Sequence, residues 1–129
     1  MNTKTILTAS AIFMGVLGIC LSFLPHEIVQ FFNMPSGQLS AVFLQLLGAT
    51  LMGFAILNWM SKEVRIGGIF NKPLALGNFL HFGAGVLALA KAISHIEVHP
   101  EIVMGLTVLY GLFALTFGYI FRTHPKETV

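Results

Sequence analysis

Long uncharged runs alternate with short polar stretches along this chain. Residues 5–24, 39–60, 73–90 and 102–121 contain no Asp, Glu, Lys or Arg. A helix rises about 1.5 Å per residue, so a run of about 20 residues crosses a hydrocarbon core of about 30 Å. The pattern predicts four transmembrane helices, over 5–24, 39–60, 73–94 and 102–121, within one domain covering 1–129. Short connections join antiparallel neighbours, so the expected architecture is an all-α, up-down-up-down bundle. After the first run, Pro25 suits the first turn of a helix, and His26-Glu27-Ile28-Val29-Gln30-Phe31-Phe32 mixes polar with apolar residues. That stretch predicts a short helix in the outer interface, with Ile28, Phe31 and Phe32 turned to lipid or capping the bundle. Gly67-Gly68 and Asn71-Lys72-Pro73 read as turn chemistry ahead of the third helix.

Lipid tails are as apolar as leucine, so membrane helices meet where small residues let backbones approach. Small or polar residues recur at helical spacing in every run: Ala11, Gly15, Gly18 and Ser22; Gln45, Ala49 and Gly53, with Gly48 beside them; Gly77, His81, Gly85 and Ala88; Thr107, Gly111, Ala114 and Gly118. These stripes are expected to face one another, with Leu, Ile and Phe turned to lipid. The first run is longer than a signal-peptide core and no small-x-small site follows it, so it reads as a retained helix.

Composition agrees with this picture and narrows the function. Hydrophobic residues make up 56% of the 129 and charged residues 9%, well below the roughly 25% charged of a soluble domain. A formal net charge of +2 gives no basis for nucleic-acid binding. The lipid bilayer is the expected partner, with a homodimer or a larger membrane complex as the possible protein partner. The seven Lys and Arg set the orientation. With both termini cytoplasmic, Lys4, Lys62, Arg65, Lys72, Arg122 and Lys126 fall inside and Lys91 outside. Trp59 and Tyr119 then lie near the inner interface, where amphipathic rings prefer to sit. The expected location is the inner (cytoplasmic) membrane of a bacterium. Cys20 is the single cysteine, so no internal disulfide forms.

Polar residues inside the runs are where chemistry is sought. They are Gln45, Asn58, Asn78 and His81. Asn58 and Asn78 lie at similar depth, where a bond across helices would act as glue. His81 stands one turn beyond Asn78 on a small-residue stripe, so it is expected to face protein. An imidazole there suits proton relay, a metal or haem, or a polar headgroup, against the plainer role of a neutral ring bonded to Asn78, Gln45 or a carbonyl. A bis-histidine haem needs a second histidine inside the membrane, and the sequence has none. Outside, His95 and His99 are four apart and share a side of the membrane with His26, a weak candidate metal site limited by Pro100. No acid lies within a run, unlike four-helix proton-coupled exporters, which depend on one. Phosphate loops, nucleophile elbows and cysteine pairs are absent from the sequence, so neither an enzyme nor a cofactor is expected.

Leu24-Pro25 before Ile28–Phe32, Gln45-Leu46-Leu47-Gly48-Ala49 leading to Leu57-Asn58-Trp59, and Gly77-Asn78-Phe79-Leu80-His81-Phe82 together resemble small four-helix bacterial inner-membrane proteins of the DoxX-like kind. The resemblance implies the same four-span fold. Some DoxX-like proteins are linked to quinone-coupled sulfur oxidation, but this chain lacks the cysteine pair or residue set for that chemistry, so the activity does not carry over. Two functions follow as expectations: a non-enzymatic accessory or structural membrane protein, or a small dimeric transporter or lipid- or quinone-binding protein using His81.

Overall fold

The computed structural model describes residues 2–63 and 71–123. Gly67-Gly68, Arg65 and Lys126 lie outside the described residues. Among those described, all regular structure is helical: α1 (Thr3–Phe23), α2 (Pro25–Phe31), α3 (Gln38–Ser61), α4 (Asn71–Ala92), a 3₁₀ turn (Ile93–His95) and α5 (Pro100–Arg122). Four stretches are long and apolar enough to cross a membrane: Thr3–Phe23, Gln38–Ser61, Lys72–His95 and Pro100–Arg122. The protein is an all-α membrane protein. It divides into two helical units, Asn2–Lys62 and a second that begins at Glu63.

Helix ends are set by local chemistry. The Asn2 side chain accepts the Lys4 amide at 3.0 Å and starts α1 two residues before the uncharged run. Pro25 cannot continue the α1 ladder and opens α2 instead. Asn33 closes α2 in the left-handed region (φ 49°), with the Asn33 amide on the Gln30 carbonyl (3.0 Å) and the Met34 amide on that of Val29 (2.9 Å). This is a Schellman closure with Asn in the place glycine usually takes. α4 begins at Asn71, so Pro73 lies in its first turn and not ahead of it. A proline ring is tolerated there because the first-turn amides have no intrahelical partner. Pro100 likewise starts α5 two residues before the predicted 102.

In the first unit α1 and α3 run antiparallel. Gly18 and Gly48 meet at their crossing. A Cβ built on Gly48 would stand 2.7 Å from the Gly18 carbonyl oxygen and 2.8 Å from the Ser22 nitrogen, and one on Gly18 would stand 2.8 Å from the Gly48 oxygen. The backbones touch, as the small-residue stripe on α1 predicts. On α3 the packed face differs from the expected one. Ala41, Gly48, Leu51, Ala55 and Asn58 are buried, whereas Gln45, Ala49 and Gly53 are exposed. Ala41, Gly48 and Ala55 recur every seven residues and so lie along one line of α3, and Gln45 stands off that line. α2 is held by Pro25 and Val29, both buried, while Phe31 is 48% exposed. The Lys62 ammonium sits 3.0 Å from the centroid of the Trp59 ring, a cation–π pair at the end of α3.

In the second unit α4 and α5 are also antiparallel. Their contact is aromatic, contrary to the expectation that Phe would turn to lipid. Phe82 is fully buried. It stacks on Phe113 at 4.9 Å between centroids and on Phe117 at 5.9 Å, and meets Tyr110 edge-on at 5.1 Å. Each such pair contributes about 0.5–1.5 kcal/mol beyond area burial. The small residues Gly85 and Gly118 serve this contact by making room for Tyr110 and Phe79 across the pair, while a Cβ on Gly111 would meet Val86 at an ordinary 3.7 Å. Ala88, at the end of the expected α4 stripe, is exposed.

Candidate functional site

His81 lies on the α4 flank that faces α5, beside Phe82 in the middle of that pair. Its Nε2 stands 3.3 Å from the Tyr110 hydroxyl, and the two rings are tilted with centroids 5.6 Å apart. Phe82 meets the His81 ring edge-on at 5.2 Å and meets Tyr110 in the same way, so the polar pair rests on an apolar floor. Tyr110 is 6% exposed, and His81 is half-buried.

Gly85 makes this arrangement possible. A Cβ at that position would stand 2.5 Å from both Cδ1 and Cε1 of Tyr110. Tyr110 therefore lies in the gap left by the missing side chain, one turn from His81. From there its hydroxyl reaches the imidazole. The 3.3 Å separation is long for a hydrogen bond to a hydroxyl, so the contact orients the ring more than it binds it. Donor and acceptor roles follow the histidine tautomer.

The two buried asparagines are each described within their own unit. Asn58 has no exposed surface, and its Nδ2 donates to Ser10 Oγ at 3.0 Å and lies 3.8 Å from Met14 Sδ. Ser10, also fully buried, passes its own hydrogen to the Leu7 carbonyl at 3.0 Å. This short relay ties α3 to α1. Asn78, equally buried, turns its Nδ2 back to the Leu74 carbonyl of its own helix at 2.9 Å. Thr50, Thr107 and Thr116 bond to carbonyls of their own helices in the same manner.

Gln45 does not join such a cluster: it is exposed on α3. His95 and His99 are engaged locally. His95 Nδ1 lies 3.1 Å from Ser94 Oγ, and His99 Nδ1 lies 3.3 Å from Glu101 Oε1. His99 sits in the left-handed region (φ 51°) immediately before Pro100, which turns the pair away from a shared helical face. His26 belongs to the other unit. Among the described residues, no three His, Cys, Asp or Glu side chains gather as a metal site requires.

Sequence reasoning missed Tyr110. A tyrosine in mid-membrane reads as one more aromatic, and the usable signal was the run Tyr110, Phe113 and Phe117 at three and four residue spacing. Ser10 was missed because one hydroxyl in an apolar run bonds its own helix as readily as a neighbour. No protein-family model, no curated protein and no solved structure matches the chain.

Proposed function

We propose that this is a non-enzymatic integral membrane protein of accessory or structural kind, of the small DoxX-like sort, seated in a bacterial inner membrane with both termini in the cytoplasm. One observation supports the reading above others. Three polar side chains of the spans are engaged inside the protein: Asn58 ties α3 to α1 through Ser10, His81 leans on Tyr110 between α4 and α5, and Asn78 is satisfied by the Leu74 carbonyl of its own helix. Groups committed in this way serve the packing and hydrogen bonding of the helices rather than a ligand. The large apolar side chains left exposed, among them Leu115, Leu87 and Phe43, suit lipid or a membrane partner.

The test is His81→Ala in the full chain, followed by native mass spectrometry from mild detergent. The accessory reading expects both proteins to carry the same bound masses, with a loss of stability of about 1–2 kcal/mol at most. Reporter fusions at the two termini and at Ser36 check the orientation, with the termini inside and Ser36 outside. A quinone or metal retained by the parent and lost in His81→Ala would overturn the reading. It would favour the second one, a small dimeric transporter or a lipid- or quinone-binding protein. The half-buried position of His81 supports that alternative, because the seam leaves part of the ring within reach of a ligand.

A further inference from the structure

The far end of the second unit carries a groove that the helix-holding role does not use. It has a volume of about 740 Å³ and is lined by Phe79 on α4 and by Leu115, Gly118, Tyr119, Phe121, Arg122 and Thr123 at the end of α5. Leu115, Gly118, Tyr119 and Arg122 follow one another at spacings of three, one and three, so they share one face of α5. From Leu115 to Arg122 that face runs about 10 Å along the helix axis. Gly118 forms its floor. A Cβ there would stand 3.1 and 3.2 Å from the Phe79 ring, so the bare backbone lets Phe79 fold in as one wall. Leu115 is 75% exposed and Tyr119 57%, and they form the rest of the trough.

The groove is apolar along its length and cationic at one end. Arg122 is exposed, and no carboxylate among the described residues pairs with it. A cation in the last turn of a helix commonly caps the free carbonyls itself. Here Thr123 does so: its amide and Oγ1 donate to the Tyr119 carbonyl at 2.9 and 3.0 Å, and its Oγ1 also reaches that of Ile120 at 3.2 Å. The Tyr119 and Ile120 carbonyls are thereby satisfied without the guanidinium, which is exposed to an outside anion. Beside it, Tyr119 offers a phenol at the level where headgroups lie.

From this we infer that the groove is a binding site for one anionic phospholipid. An acyl chain lies along Leu115, Gly118 and Phe79, and the phosphate is held by Arg122. Charge complementarity selects the occupant: a trough for hydrocarbon that ends in an exposed guanidinium, paired with no carboxylate among the described residues, at the depth of the headgroups matches an anionic lipid better than a zwitterionic one. The inference uses none of the residues around His81.

The test is native mass spectrometry of the full chain, equilibrated in detergent with phosphatidylglycerol or with phosphatidylcholine of the same acyl chains. The expected result is retention of one phosphatidylglycerol in preference to phosphatidylcholine. Arg122→Gln should lower that preference about fivefold. Lys4→Gln removes the same charge from the other unit and should lower it less than twofold. Gly118→Leu fills the floor and should reduce retention of both lipids at this site; if it fails to fold, the contrast between Arg122→Gln and Lys4→Gln still decides. Equal retention of the two lipids by the parent, or equal losses in those two charge variants, overturns the proposal.

Discussion

Gly48→Ala tests the reasoning about the first unit most directly. The added methyl would stand 2.7 Å from the Gly18 carbonyl oxygen and 2.8 Å from the Ser22 nitrogen, against 3.4 Å for the near edge of ordinary contact. The Ser22 hydroxyl also stands in the way and could rotate aside, but these two obstacles are backbone and cannot. α1 and α3 must part by roughly 0.7 Å at the crossing, and a gap of that size forfeits a quarter to a half of each dispersion contact it opens. Overpacking of this kind costs about 1–3 kcal/mol. Alanine also forms helix more readily than glycine, which offsets part of the loss. Gly53→Ala is the matched control, because it is the same change on the same helix with nothing within 4 Å of the new Cβ. The propensity gain cancels between the two variants and leaves the steric cost. Titration with sodium dodecyl sulfate in mixed micelles, followed by circular dichroism, should therefore find Gly48→Ala about 1–3 kcal/mol less stable than Gly53→Ala. Equal stabilities would show that the two backbones do not meet at Gly48.

The other predictions concern the polar contacts and the aromatic core. Tyr110→Phe and His81→Ala should each cost about 0.5–1.5 kcal/mol, and the double variant should fall short of their sum by about 0.6 kcal/mol, measured as a double-mutant cycle in the same titration; full additivity would mean that the 3.3 Å contact carries no energy. Gly85→Ala should displace the Tyr110 ring, whose atoms lie 2.5 Å from the new Cβ, and should lower stability in a Tyr110 background by more than in Tyr110→Ala, where the obstacle is gone. Phe82→Ala should cost about 3–5 kcal/mol, the range for an aromatic removed from a packed core, and a loss under 1 kcal/mol would place Phe82 at the lipid. Gln45→Leu should change stability by less than about 0.5 kcal/mol, because its side chain is exposed on α3.

The four spans and the short helix after the first were legible because their signals are local. Charge-free length reports a span, and Pro25 reports where α1 must stop, whatever packs against it. The packed faces were only half legible. In a soluble helix the polar face marks the solvent side, but here the lipid side and the protein side are both apolar, so periodicity names no inside. On α1 one small-residue stripe stands without a rival, and it proved to be the contact. On α3 two stripes compete. Gln45, Ala49 and Gly53 form one, and Ala41, Gly48 and Ala55 at sevenfold spacing form the other. Only the register against Gly18 chooses between them, and register is a property of the pair.

The same reasoning explains why His81 was legible and its partner was not. A histidine in an apolar run stands out by itself, whereas Tyr110 matters because Gly85 leaves a gap at the matching height on another helix. A glycine and a tyrosine 25 positions apart carry no sign of each other in a single chain. The aromatic core has the same origin: Phe82 is buried because Phe113, Phe117 and Tyr110 line up on α5 at its level, while Phe43 and Phe23, no less apolar, remain exposed. Which aromatic turns inward in a membrane protein is thus decided by the surface opposite, and that surface is also where the polar pair of this protein is built.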